Sequence, residues 1–204
     1  MKKVTEISPV SNEGEVAILT EAPYAVEVEV TGSAPLLFHR WSVDDVAAKA
    51  AAKKGSKAKK EDNLESYVYR DENGELSIPG EYFRMSTILA SKYKQDPRSP
   101  RKSAMDLFKA GLVTLTDLGS LGIKDWDYID RRRVTIQRNG ITRSRPAVKM
   151  GWKTSIIFQV LTPEYISPDL LNETLQSAGR LVGVGDFRPT FGRFQVTKFK
   201  VLQD

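Results

Sequence analysis

Three features of this 204-residue sequence predict an α+β fold with helices on one face of an antiparallel sheet. Tyr24–Val30 alternates valine with glutamate, the pattern of a strand buried on one side. Two helical segments, one opening after Pro79 and one after Ser167, are separated by extended stretches, and Phe194–Val201 alternates again as a final strand. In chain order these fit a β-α-β-β-α-β, ferredoxin-like (RRM-like) core, with its first helix at Gly80 and its second at Ser167. In such a core the open sheet face and its loops are free to carry a single strand of nucleic acid.

Composition limits the function. With 40% apolar residues the chain can bury one good core, so we expect a single domain over 23–204 carrying an insertion, preceded by a flexible arm over 1–22. A net charge of +5 and a pI near 9.3 favour an anionic partner. The absence of cysteine, with a single histidine, excludes disulfides, thiolate catalysis and the usual Cys/His zinc sites. No metal or cofactor is expected. Asp44 and Asp45 are adjacent acids at a helix start, where capping explains them. No apolar run reaches signal-peptide or membrane-spanning length, so the expected location is the cytoplasm.

After the first strand come Pro35–Phe38 and then His39, Arg40 and Trp41. Residues 42–63 turn to alanine and lysine, with six lysines between Lys49 and Lys60, which reads as a solvated basic insertion. Ser66–Arg70 and Glu75–Ile78 flank Asn73-Gly74, a tight-turn pair, and predict a hairpin. A helix over about Gly80–Tyr93 places Tyr82, Met85 and Leu89 on one apolar face, expected in the core. Lys92–Lys102 reads as a basic loop, Ser103–Ala110 as a short helix stopped by Gly111, and Leu112–Leu115 as a strand.

From Arg131 to Lys153 there are eight basic residues and no acid: Arg131, Arg132, Arg133, Arg138, Arg143, Arg145, Lys149 and Lys153. Asn139-Gly140 within this run predicts a turn, so that Val134–Arg138 and Ile141–Arg145 form a projecting basic β-ribbon. Trp152–Leu161 has the β-branched and aromatic content of a central strand. Ser167, Pro168 and Asp169 are N-cap, first helical residue and helix-start acid of the last helix.

The stretch that follows, GRLVGVGDFRPTFGRF, interleaves Gly179, Gly183, Gly185 and Gly192 with Arg180, Arg188 and Arg193. Glycine allows positive φ and close approach of another backbone, and the planar arginine fork suits phosphate. This is chemistry for holding an anion. The predicted nucleic-acid ligands are therefore Arg40, Trp41, the basic run, Arg180, Gly183, Gly185, Arg188 and Arg193, with Tyr82, Trp152 or Phe187 as further aromatics for stacking.

The run from Val134 to Val196 resembles a family of small bacteriophage proteins, on its arginine-rich strand, Trp152, Ile166-Ser167, Gly183-Val-Gly185-Asp-Phe-Arg188-Pro and Phe191-Gly192-Arg193-Phe194. That family has a core similar to the RAMP superfamily, the ferredoxin-like RNA-binding subunits of CRISPR effector complexes. The resemblance implies sequence-tolerant binding of single-stranded RNA or DNA by subunits that self-associate along the strand, in the cytoplasm of a host cell. It also raises an alternative, metal-independent RNA cleavage with His39 as base. A third reading makes the glycine-rich loop a contact between subunits of a structural protein.

Overall fold

The computed structural model describes residues 22–41, 43, 47, 50–51, 63–136 and 139–202, with 134–141 as backbone. The expected arm over 1–22 and the insertion over 42–63 lie almost wholly outside these residues. The remaining chain is a mixed α+β structure built from antiparallel sheets and three helices.

β1 (Tyr24–Gly32) lies inside the main sheet, between β11 (Lys153–Val160) and β12 (Phe194–Leu202), and β7 (Leu112–Thr114) extends it beyond β11. All of these pairs are antiparallel. The valine–glutamate alternation works as its period dictates. Val26, Val28 and Val30 join Ile156, Phe158 and Val160 in the core, while Glu27 and Glu29 stand on the opposite face. There Glu29 pairs with Lys198 at 2.7 Å and Glu27 accepts from the Ser155 hydroxyl at 3.3 Å.

The inner face is covered by α1 (Gly80–Ser91) and α3 (Pro168–Leu181), with α2 (Met105–Gly111) beside α1. Ser167 caps α3 by accepting from the Leu170 amide at 3.2 Å, with Pro168 as the first helical residue. Phe83 of α1 meets Phe194 of β12 edge to face at 5.4 Å. Complete burial of a ring of this size stabilises the fold by about 2–3 kcal/mol. Gly179, expected just beyond the helix, lies within α3 instead. A Cβ there would come 2.1 Å from the Phe194 carbonyl, so glycine lets the helix rest directly on β12.

Two smaller sheets flank this layer. β3 (Tyr69–Arg70) and β4 (Leu76–Pro79) form the expected hairpin, with Gly74 at φ 75° and its amide on the Asp71 carbonyl at 3.0 Å. β8 (Leu118–Ser120) joins β4 as the third strand of this sheet. β9 (Tyr128–Ile136) and β10 (Asn139–Val148) form the basic ribbon, and β2 (Leu36–Leu37) pairs with the base of β10. The Asn139-Gly140 turn is not where the ribbon reverses. Asn139 pairs with Ile136 and Gly140 with Thr135, so both belong to β10; residues 137 and 138, Arg138 among the expected ligands, lie outside the described residues. The register is fixed at the other end, where Ala147 opposes Tyr128 and also pairs with the buried Leu37.

Two further expectations are corrected. The basic loop over Lys92–Lys102 is largely a hairpin of β5 (Gln95–Asp96) and β6 (Ser99–Ser103). Its anchor is Asp96, 3% exposed, which accepts from the Arg98 amide and from Arg98 Nε and Nη2 at 2.9, 3.0 and 2.7 Å. These bonds hold the Asp96 carboxyl down at about 2. An acid with a depressed folded pKa stabilises above its unfolded value, about 3.9, and loses that contribution as pH falls towards 2. Amide exchange of residues 95–103 should therefore accelerate below about pH 4, and Asp96→Asn should remove this acid step; an unchanged step in that variant would refute the assignment.

The second correction concerns α1. Tyr82, Met85 and Leu89 do form one helical stripe and Tyr82 packs against the core's edge, but the fully buried apolar side chains of α1 are Phe83, Ile88 and Ala90. Met85 is 41% exposed, and the stripe lines an open cleft.

Candidate nucleic-acid interface

The glycine-rich loop leaves α3 after Leu181 and folds back on itself before β12. Gly183, Gly185 and Gly192 all have positive φ. The Val184 amide donates to the Gly192 carbonyl at 2.9 Å, and a Cβ on Gly192 would sit 1.7 Å from the Val184 carbonyl oxygen. Both ends dock on the segment before and within β2: the Gly192 amide on the Pro35 carbonyl at 2.8 Å, and the Asp186 amide on the Leu37 carbonyl at 3.0 Å. The glycines thus serve close approach within the chain. Among the side chains that the loop presents are Asp186, Phe187 and Arg188.

Phe187 has φ 58°, a left-handed conformation uncommon for an aromatic residue. Its ring lies under two guanidinium groups of the ribbon, 5.0 Å from Arg145 and 5.5 Å from Arg132. Phe191 holds Arg132 more closely, at 4.4 Å. Residues paired across antiparallel strands share a face, so Arg132, Arg143 and Arg145 lie on the loop-facing side of the ribbon. Arg131 and Arg133, offset by one residue, point to the other side and are exposed.

This divides a run that reads as uniform in the sequence. Arg145 is 6% exposed and forms an ion pair with Asp186, while Arg132 is bonded to Asp130 at 2.7 Å. A buried guanidinium requires such a carboxylate, because removing the partner leaves an uncompensated charge. Asp130 and Asp186 therefore hold two of the three inward arginines.

Beside the loop, β2 and His39 on one side and β4 with α1 on the other enclose a cleft of about 340 Å³. Its floor is apolar, with Leu36, Phe38 and Ile78 joined by the Tyr82–Met85–Leu89 stripe. At its mouth stand His39, Tyr69, Asp186 and Arg188. Arg40 lies 5.1 Å over the Tyr69 ring, and the Tyr69 and Tyr82 hydroxyls are 3.2 Å apart. Burial and the hydrogen bond shared with Tyr69 push the Tyr82 phenol well above its usual range, so it remains protonated throughout the physiological range. His39 Nδ1 is 3.8 Å from Asp186 Oδ2, and its ring meets Tyr67 edge-on at 4.9 Å.

Residues distant in the sequence thus meet at one surface. Arg188 and Tyr82 line the cleft, Arg40 lies over the ring of the lining Tyr69, and Phe187, next to Arg188, lies against the ribbon. Trp41, next to Arg40, is 74% exposed. Lys153 and Arg193 mark a second group at the end of the main sheet, where Thr31 opposes Lys153 and the Ser33 amide donates to the Arg193 carbonyl. Lys149 is exposed nearby, its amide held by Asp127 at 2.7 Å. Arg180 is apart, on the exposed last turn of α3. Trp152 is 5% exposed and donates to the Ala34 carbonyl at 2.9 Å, so it packs rather than stacks.

Sequence reasoning missed Tyr69, Asp130 and Asp186. The signal for Asp186 was present: a lone acid in a stretch whose other charged residues are all arginine. Among the described residues no group of His, Cys, Asp and Glu is arranged to hold a metal ion, and no helix is long and apolar enough to cross a membrane.

No protein-family model matches the chain, and no curated protein shows significant similarity to it. Among solved structures, a chain in the cryo-EM structure of the Type III-B Cmr-beta bound to cognate target RNA superposes with a TM-score of 0.54 at 9% identity, over 89% of this chain and 61% of that one. The crystal structure of Cmr6 from Pyrococcus furiosus gives a TM-score of 0.43 at 11% identity, over 86% of this chain and 98% of that one. The first is a likeness of fold alone. This chain spans about three-fifths of the length of that Cmr-beta chain.

Proposed function

We propose that this protein binds single-stranded RNA with little regard to sequence, along the surface that runs from the ribbon across Phe187 to the cleft and Trp41. The observation that carries the reading is Arg188 lining a cleft with the half-buried Tyr69 and Tyr82, Arg40 lying over the Tyr69 ring, beside a ribbon that keeps Arg132, Arg143 and Arg145 on the side facing Phe187. Cations fix the backbone and aromatic faces accept bases of any identity. The fold shared with a Cmr-beta structure that is bound to RNA supports RNA over DNA. On the open face of the main sheet Lys198 and Lys200 stand opposite Glu29 and Glu27, so the cations there are matched by carboxylates and the face is the poorer path.

The reading takes the main sheet, α1 and α3 as a ferredoxin-like core of one domain over 23–204, and subunits as neighbours along the strand. Binding to labelled single-stranded RNA should exceed binding to duplex DNA. It should fall with salt at a log–log slope of about −3, from about −0.7 for each of four or five phosphates held. Affinity that is indifferent to salt would overturn it.

A second reading has one observation in its favour, the Asp186 carboxylate near His39. If His39 takes a proton from a 2′-hydroxyl, RNA is cut without metal, and His39→Ala removes cleavage while binding persists. RNA left intact after long incubation ends that reading.

A further inference from the structure

Resting on the binding reading above, we infer that the cleft between β2, β4 and α1 is a pocket for one unstacked nucleobase of the bound strand, with its phosphate held at the mouth by Arg188 and Arg40. The stripe Tyr82, Met85 and Leu89 is the starting point. Apolar residues at this helical spacing normally bury against the core, yet here Met85 is 41% exposed and the stripe faces an open volume of about 340 Å³. That lies at the small end of ligand sites and is sufficient for a base and its sugar.

The polar groups are arranged as a base requires. The floor is apolar and suits a flat π-face. At the edge, the Tyr69 and Tyr82 hydroxyls share a single hydrogen bond. One of the two protons is used in it, so the pair still offers one donor and several lone pairs. A donor and an acceptor side by side can meet the edge of any base, which agrees with sequence-tolerant binding. Arg188 at the rim, and Arg40 beside Tyr69, place positive charge where the sugar–phosphate would emerge. Asp186 is at the mouth too, but its carboxylate is already engaged with Arg145, so its repulsion of a phosphate is muted.

The test compares oligoadenylate with an abasic ribose-phosphate strand of equal length, on the wild type and on Met85→Trp, which fills the cleft from a half-open position. Met85→Trp should bind oligoadenylate about tenfold more weakly, the worth of one stacked base. It should bind the abasic strand as well as the wild type does, with an unchanged salt slope. Tyr82→Phe, which keeps the shape and removes the hydroxyl, should weaken oligoadenylate binding a few-fold and leave the abasic strand unaffected. Equal losses on both strands, or none on either, would overturn the pocket while leaving strand binding in place. Failure of the wild type to bind any strand would remove both. Adenosine monophosphate alone should bind only at millimolar concentration; micromolar binding would mark a free-nucleotide site and overturn the assignment to the strand.

Discussion

Reversing the charge at the cleft and the one over Tyr69, Arg188→Glu with Arg40→Glu, is expected to weaken single-stranded RNA binding by about a hundredfold or more at low salt. Each substitution removes a guanidinium–phosphate contact and places a carboxylate against the phosphate. Loss of two contacts should also flatten the log–log salt slope by about 1.4. Both side chains are exposed, and the interaction lost within the protein is the contact of Arg40 with Tyr69, worth about 0.5–1 kcal/mol. Thermal stability should therefore stay close to that of the wild type. A double variant that binds normally would mean that the strand runs elsewhere. Lys153→Glu with Arg193→Glu is the comparison that would then locate it, at the end of the main sheet.

The second large effect is structural and reaches the same surface. Gly192→Ala should destabilise the protein by about 3 kcal/mol or more and abolish RNA binding, as measured by denaturant unfolding and by titration. At φ 70° an alanine is strained, and its Cβ would lie 1.7 Å from the Val184 carbonyl oxygen, which is backbone and cannot rotate away. The loop would have to release the Gly192–Pro35 bond, carrying Phe191 away from Arg132 and Arg188 away from the cleft. Gly74→Ala is the control: it has a similar φ of 75° but no atom within 4 Å of the added carbon, so only the conformational cost of about 1 kcal/mol applies. Equal effects of the two substitutions would show that the loop is not held as described.

How far the sequence disclosed this architecture depends on whether an element's signal is local. The valine–glutamate strand at Tyr24–Val30 and the Ser167-Pro168 helix start are local in this sense, and both appear where periodicity and capping place them. β2 and β8 were missed because two- and three-residue strands carry no periodic signal and exist only through their partners, β10 and β4. The ribbon's reversal was placed at Asn139-Gly140 by turn chemistry, but pairing at its base against Leu37 decides the register.

The candidate site was legible in composition and not in geometry. Eight basic residues in one run read alike, although alternation along β9 and β10 turns Arg132 and Arg145 inward onto Asp130 and Asp186 and leaves Arg131 and Arg133 outside. The apolar stripe of α1 reads as core because helical spacing reveals that a face is apolar without revealing what covers it. The glycines marked the right loop for a different reason: they let it fold onto the segment around β2, which sets Phe187 and Arg188 in position.

Ultraviolet cross-linking of the full protein to single-stranded RNA, with the linked peptides identified by mass spectrometry, tests the central claim most directly. Cross-links should fall on Trp41, on Tyr69 or Tyr82, and on the peptide carrying Phe187. Cross-links confined to the 95–103 hairpin, or to the β1, β11 and β12 residues beside Glu27 and Glu29, would contradict the path proposed for the strand.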